Sequence, residues 1–278
     1  MRFGFHVSIA GGLARVRQRA EQVGCESVQF FTRSPRGWTA RRLAKPEVAE
    51  FRSRMAGSGI SPVFVHAPYL PNLAARGEPG RRSLRALVSE AGRCERLGVR
   101  FLIVHFGRAG DRSEPKALET VAANVNRLLS RSPRSVTLLL ENTAGMGSEV
   151  GYRFGHLAEV IGRSVDPDRV GVVLDTAHLF QAGYELRAEA GLDATLREFD
   201  RVVGMGRLYL LHLNDSKTGF GSRVDRHWHI GQGRIGTAGF RLIVNHPLLR
   251  HLPGIMETPK DSHEDDLANL RRIRRLVN

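Results

Sequence analysis

The sequence predicts one (β/α)8 TIM barrel across residues 1–278, with its functional face at the C-terminal ends of the strands. Three observations carry that expectation. Eight short β-rich apolar runs recur along the chain, the stretches between them repeat apolar residues at helical spacing, and most of the runs end in a side chain able to hold a metal ion. The runs lack polar alternation, as parallel strands do when both faces are covered. Strand followed by helix, repeated, requires crossover connections and hence a parallel sheet. Eight such units in 278 residues fit a closed barrel better than a doubly wound open sheet, the alternative that counting leaves.

The elements follow in order. "RFGFHVS" opens the chain as a strand and passes into "SIAGG", a tight turn that starts a helix; "SVQFFT" is the second strand and leads into a long loop containing "RSPRGW". "PVFVHA" is the third, followed by "HAPYLPNL" and the helical pattern "GRRSLRALVSEAGRCERLG". "VRFLIVHF" and the helix "EPKALETVAANVNRLLS" form the fourth unit, with "VTLLLENT" and "VGVVLDTA" as the fifth and sixth strands. "RLYLLHLN" precedes another long loop, and "GIMETP" with "SHEDDLANLRRIRRLVN" completes the set. The apolar residues of these helices recur at three- and four-residue steps. The long loops follow strands two, three and seven, and long loops in a compact fold are commonly functional. No Pro/Gly/Ser tract or composition break divides the chain, so one domain is expected.

A hydrophobic content of 41% supports a large core, and a net charge of +14 points to a polyanionic partner. Only Lys45, Lys116, Lys217 and Lys260 are lysines, the other basic residues being arginine. Arginine suits phosphate, but the same skew follows genomic base composition or heat adaptation, so the charge is the stronger argument. Cys25 and Cys94 belong to no CxxC pair and read as reduced core residues. The chain starts on a strand pattern without an apolar signal core, and no 18-residue apolar run occurs. A cytoplasmic protein without a membrane partner is expected.

His66, His105, Glu141, Asp175, His212 and Glu257 lie at or just beyond strand ends. In a parallel barrel those ends share one face, where such enzymes build their sites. His178 follows Asp175 by three residues, and Asp225 and His227 lie in the loop after strand seven, so nine candidates can meet. One such residue alone is commonly a hydrogen-bonded cap. A mouth crowded with carboxylates and imidazoles needs cations to neutralise it. Histidine and carboxylate donors without thiolate suit Zn²⁺, with Mn²⁺ or Fe²⁺ as alternatives. At about three to five ligands per ion, two or three ions are implied.

In "RVDRHWHIGQGRIG" an extended backbone would send Asp225, His227 and His229 to one side. "GQGRIG" lacks the ending and context of a phosphate-binding loop. His6 is expected to support the site or the structure, and Glu90, Glu95, His156, His246, His251 and His263 to be solvated or capping.

The motifs "HAPYLPNLA", "HFGRAG", "LLLENTAG", "GVVLDTAHLFQAGY", "LHLNDSK", "RVDRHWHIGQGRIG" and "METP" together resemble the endonuclease IV family of apurinic/apyrimidinic endonucleases, over essentially the whole chain. The resemblance implies a TIM barrel with three zinc ions. His66, His105 and Glu141 would hold the first, Glu141, Asp175, His212 and Glu257 the second, and His178, Asp225 and His227 the third. Glu141 and Glu257 would be catalytic. The implied reaction is hydrolysis of the phosphodiester 5′ to an abasic site in duplex DNA, giving 3′-hydroxyl and 5′-deoxyribose phosphate ends, with clearing of blocked 3′ ends as a related activity. Arg36, Tyr69 and Leu70 match residues that enter the DNA around a flipped-out abasic nucleotide. A monomer is expected, because these loops must stay open, and association with the nucleoid when DNA is bound. Trp228 in "HWH" departs from the more familiar flanks. A sugar isomerase or epimerase on the same barrel is the main rival, but it would not need all nine residues or the +14 charge. A DNA-binding barrel with structural zinc and no activity is the second rival.

Overall fold

The eight apolar runs become eight parallel strands that close on themselves, because each is too apolar to leave either face in water. In the computed structural model, which describes residues 1–260 and 262–278 and for His263 the backbone only, the elements are β1 (Arg2–Val7), α1 (Arg15–Val23), β2 (Ser27–Phe30), α2 (Lys45–Met55), β3 (Val63–His66), α3 (Gly77–Leu97), β4 (Phe101–His105), α4 (Glu114–Arg131), β5 (Thr137–Glu141), α5 (Phe154–Gly162), β6 (Val170–Asp175), α6 (Thr176–Ala182), α7 (Glu189–Val202), β7 (Leu208–His212), β8 (Asp215–Ser216), β9 (His227–Trp228), α8 (Gly236–Asn245), β10 (Pro253–Met256) and α9 (His263–Arg274). The barrel runs β1 to β7 in chain order and is closed by β10, which pairs with both β7 and β1. The fold is therefore the expected (β/α)8 TIM barrel. The short strands β8 and β9 form an antiparallel ribbon within the long loop after β7, where the sequence suggests extended backbone around 225–229 but no pairing partner.

The helices form where apolar residues line one face. In α4, Leu118, Val121, Val125, Leu128 and Leu129 are buried, and in α3 Leu84, Leu87, Ala91 and Cys94 are. Helix α3 stops at Gly98, whose φ of 73° is the left-handed conformation that glycine adopts without strain, and whose N–H bonds back to Cys94 and Glu95. Helix α9 starts with a capping box between Ser262 and Asp265. Cys25 and Cys94 are unpaired and buried. No helix among the described residues is long and apolar enough to cross a membrane.

The barrel interior positions the site. Phe64, Ile103, Leu139, Val173, Leu210 and Ile255, one from each of six strands, form an inner cluster with no exposed surface. Each such burial contributes roughly 1.5–3 kcal/mol. Inward-facing residues alternate along a strand, so the next inward positions are His66, His105, Glu141, Asp175, His212 and Glu257. The apolar plug is thus the floor of a polar layer.

Candidate metal centre

The same two-residue step in β1 and β2 gives Gly4 and His6, and Ser27 and Gln29. Gly4 is required there, since a Cβ would lie 1.9 Å from the Ser27 carbonyl oxygen. His6 therefore sits directly opposite Gln29 in register, as His105 does opposite Glu141 and Asp175 opposite His212. Eight strands contribute to one layer. Its centre is Glu141, which has no exposed surface.

Four imidazoles are oriented by oxygen atoms that can only accept, which fixes the nitrogen carrying the proton. His66 donates from Nδ1 to the Ala67 carbonyl (2.7 Å), leaving Nε2 facing Glu141 Oε2 at 3.0 Å. His212 donates from Nε2 to Gln29 Oε1 (2.8 Å), and its Nδ1 faces Glu141 Oε1 at 3.0 Å, Glu257 Oε2 at 3.4 Å and Asp175 Oδ2 at 3.8 Å. His178 donates from Nδ1 to the Asn142 carbonyl (2.9 Å), and His227 from Nδ1 to the Glu257 carbonyl (3.2 Å). Their Nε2 atoms then meet at 3.3 Å, with Asp225 Oδ1 at 3.3 and 3.5 Å. His105 Nε2 lies 3.1 Å from Glu141 Oε2. Lone pairs and carboxylates that converge in this way repel unless a proton or a cation lies between them.

Three groups of donor atoms lie within 4.8 Å of one another and could each hold a metal ion: His66, His105 and Glu141; Glu141, Asp175, His212 and Glu257; and Asp175, His178 and His227. Asp225 stands against the third. The donor set is nitrogen and oxygen with no sulfur, which fits Zn²⁺ and admits Mn²⁺ or Fe²⁺.

Local structure explains how the later residues arrive. Asp175 caps α6 by accepting the His178 N–H (2.9 Å), which brings both side chains to one helix end. The ribbon pairs Asp215 with Trp228 and Ser216 with His227. Successive residues of β9 point to opposite sides, so His227 faces the centre while Trp228 lies under the Lys217 ammonium at 4.2 Å. His229 has left the ribbon, and its Nδ1 accepts from Asn269 at 3.1 Å, away from the donor groups. Strict alternation thus misplaces His229. The glycine-rich turn wraps a carboxylate of its own chain: the N–H groups of Gly233 and Ile235 each lie 2.9 Å from Asp215. A Cβ at Gly233 would be 2.4 Å from the Ser216 carbonyl oxygen.

The charges are strongly coupled. Burial penalises ionised Glu141, yet the neighbouring His105 and His212 hold its carboxyl well below the usual range. Burial likewise opposes ionised Asp225 and Glu257, and imidazoles outweigh it and lower both. Burial also disfavours imidazolium, but Glu257 and Glu141 raise His212 to about 9, and Asp175 and Asp225 raise His178 well above its ordinary value. Protons on imidazole and a bound cation are alternative sources of the compensating charge.

Several supporting residues carry no conspicuous sequence signal. Gln29 donates to Glu257 (2.6 Å) while accepting from His212, so one amide fixes the orientation of both. Asn142 accepts the Asp175 N–H (2.7 Å), and Asn214 donates to Asp175 (2.6 Å) and accepts the Glu257 N–H (2.7 Å). The available signal is a lone amide inside or just after an apolar strand run. His6 touches Glu257 (3.2 Å) and packs at a tilt against Phe31, in the supporting place expected. Two expectations are corrected. Glu90 is completely buried in an ion pair with Arg33, and His156 is buried, accepting the Gly151 N–H (3.0 Å) and facing Glu114 (3.0 Å). Neither is solvated, because the loop after β2 covers Glu90, and Tyr152 and Glu114 pack against His156.

Tyr69, Leu70 and Arg36 stand at the rim. Tyr69 is 66% exposed and Leu70 36% although both are apolar-bodied. The Tyr69 N–H donates to the Pro35 carbonyl (3.2 Å), which ties the loop after β3 to the one carrying Arg36. Tyr69, His66, His105 and His227 share a cavity of about 490 Å³. Phe220 and Val224, also exposed, lie on the loop after β7 and have no distinguishing pattern in the sequence.

The family described as the xylose isomerase-like TIM barrel matches residues 17–276. Proteins called probable endonuclease 4 from Methanosphaerula palustris and Chloroflexus aggregans are each 45% identical to the chain, covering 100% and 99% of it and 98% of each relative. The crystal structure of endonuclease IV from Thermus thermophilus superposes with a TM-score of 0.90 at 38% identity, over 99% of this chain and 98% of that one. A D-tagatose 3-epimerase-like protein superposes at 0.75 with 16% identity, over 99% and 97%, and shares the fold alone.

Three substitutions test the geometry. His227→Ala is expected to lower the metal content by about one ion per chain, whereas His229→Ala keeps the full complement; equal loss in both, measured by elemental analysis, would contradict the placement of His229. Gln29→Leu is expected to weaken metal affinity by about 10–100-fold in chelator competition, as loss of a ligand-orienting bond does. Unchanged affinity would show that Gln29 orients nothing.

Proposed function

Because this chain belongs to the endonuclease IV family, we propose that it is a DNA-repair endonuclease that hydrolyses the phosphodiester 5′ to an abasic site in duplex DNA. The ends formed would be a 3′-hydroxyl and a 5′-deoxyribose phosphate, and clearing of blocked 3′ ends would be a second activity of the same site. The observation that carries this reading is the convergence of three donor groups on the buried Glu141 and its neighbours.

His66, His105 and Glu141 would hold one zinc ion, Glu141, Asp175, His212 and Glu257 a second, and His178, Asp225 and His227 a third. When bound, such cations neutralise phosphate charge and make hydroxide available near pH 7. Glu141 would keep the first two groups in register, since each of its oxygens faces a different set of imidazoles. Glu257, anchored by Gln29 and Asn214, would be a ligand of the second ion and take part in catalysis. No nucleophilic side chain is required.

Recognition would fall to the rim. Tyr69 and Leu70 would fill the space left by a missing base, and Arg36 would reach the adjacent backbone, as wedge residues do when a nucleotide leaves the stack. The +14 charge draws the duplex in. The whole of residues 1–278 would act as one domain and as a monomer, leaving these loops open. An epimerase would have use for the Glu141, Asp175, His212 and Glu257 group but none for the other five donors.

Glu141→Gln is expected to reduce incision of an abasic duplex by on the order of 10³-fold or more, because an amide cannot balance the cations on both sides. Retention of a tenth of the wild-type rate would sink the bridging role. Tyr69→Ala is expected to weaken binding to abasic duplex by about tenfold with metal content unchanged. Loss of metal in that variant would place Tyr69 in the centre and not at the DNA.

A further inference from the structure

The loop between β2 and α2 carries Arg36 yet has no regular secondary structure from Phe31 to Ala44. Its carbonyl groups are instead held by guanidinium groups. Arg93 of α3 donates to the Thr32 carbonyl (2.6 Å), the Thr32 hydroxyl (2.6 Å) and the Arg41 carbonyl (2.8 Å). Arg33 donates to the Trp38 carbonyl (2.9 Å), and Arg96 to that of Leu43 (2.7 Å). Arg82 stacks on the Trp38 ring at 4.4 Å.

Arg33 and Arg93 are each 7% exposed, and two guanidinium groups cannot lie side by side in such a place without an anion. Glu90 provides it. Its Oε1 lies 2.8 Å from Arg33 and 4.0 Å from Arg93, and its Oε2 accepts from Thr32 at 2.6 Å. Glu90 has no exposed surface and takes no part in the metal centre. Burial raises its pKa, against the pull of the Thr32 hydrogen bond and the two arginines.

Between the staples the chain projects Arg36, which is exposed and makes no hydrogen bond or ion pair among the described residues. Gly37 N–H closes the turn onto Ser34 (3.4 Å), and Pro35 is fixed by Tyr69. We propose that Glu90 is a positioning residue for DNA recognition: by balancing Arg33 and Arg93 it locks residues 32–43 onto α3 and so presents Arg36 beside Tyr69. This rests on the abasic-DNA reading for its consequence, but the staple itself is independent of it. Arg36 then reaches DNA from an ordered loop, so less ordering is required on binding.

The test is a cycle of Glu90→Gln with Arg36→Ala, read by steady-state incision of abasic duplex, metal content and backbone hydrogen exchange. Glu90→Gln is expected to raise KM about tenfold, the scale of one lost charged hydrogen bond, with kcat within about twofold and metal content unchanged. In the Arg36→Ala background it should add less than about twofold, because positioning matters only while Arg36 is present. Exchange should rise across residues 32–43 and nowhere else. Arg33→Lys, which keeps the charge but loses the guanidinium geometry that bonds Trp38 while facing Glu90, should act in the same direction if Glu90→Gln does not fold. A full effect of Glu90→Gln without Arg36, or a fall in kcat and metal content alongside KM, would overturn the proposal. Unchanged exchange in residues 32–43 would overturn it even if the wild-type protein failed to incise abasic DNA, a failure that would count against the functional reading instead.

Discussion

A fully buried carboxylate at the centre of the barrel mouth is the constraint on which the rest of the structure depends. Glu141 has imidazoles of His66, His105 and His212 within 3.1 Å. An unpaired carboxylate there would cost several kcal/mol after relaxation. As neutral rings the surrounding histidines relieve this only in part, because His66 and His212 have each committed their one proton to a carbonyl oxygen on the far side, which leaves His105 of the three to donate to Glu141. Added positive charge completes the balance. Carbonyl and amide partners hold the rings ready for a cation, and the apolar cluster of Phe64, Ile103, Leu139, Val173, Leu210 and Ile255 excludes water from below.

The loops above this layer solve a different problem. They lack ladders to satisfy their backbone groups, and buried polar groups must be satisfied. The chain uses side chains for this: Asp215 gathers N–H groups of the glycine turn, while Arg93, Arg112 and Arg169 bond to carbonyls of loops and helix ends. A share of the arginine excess is thereby accounted for by architecture. In the sequence, phosphate binding competes with genomic or thermal bias as the source of that excess, and the structure adds carbonyl capping as a third use. Arg36, exposed on its loop, caps no carbonyl among the described residues.

Much of this was legible because a barrel imposes two simple rules. Strand ends share a face, and inward positions recur every second residue. Those rules bring His66, His105, Glu141, Asp175, His212 and Glu257 into one layer from spacing alone. Applied equally to β1 and β2, they also select His6 and Gln29; Gln29 is easily overlooked because an amide is not a conspicuous ligand. Beyond the strands the rules weaken. His229 satisfies the alternation, but the ribbon ends at Trp228 and a turn redirects the next side chain to Asn269. Glu90 looks like a surface helix position because its covering is a loop distant in sequence. Tertiary burial of that kind leaves no periodic trace.

The most direct measurement is the elemental composition and thermal unfolding of protein purified without added metal, before and after exhaustive chelation. About three divalent ions per chain are expected, with zinc predominant, and their removal should lower the unfolding temperature because ligand binding to the native state alone stabilises it. A protein that contains no stoichiometric metal, melts at the same temperature with or without chelator and still incises abasic DNA would contradict the account at its centre.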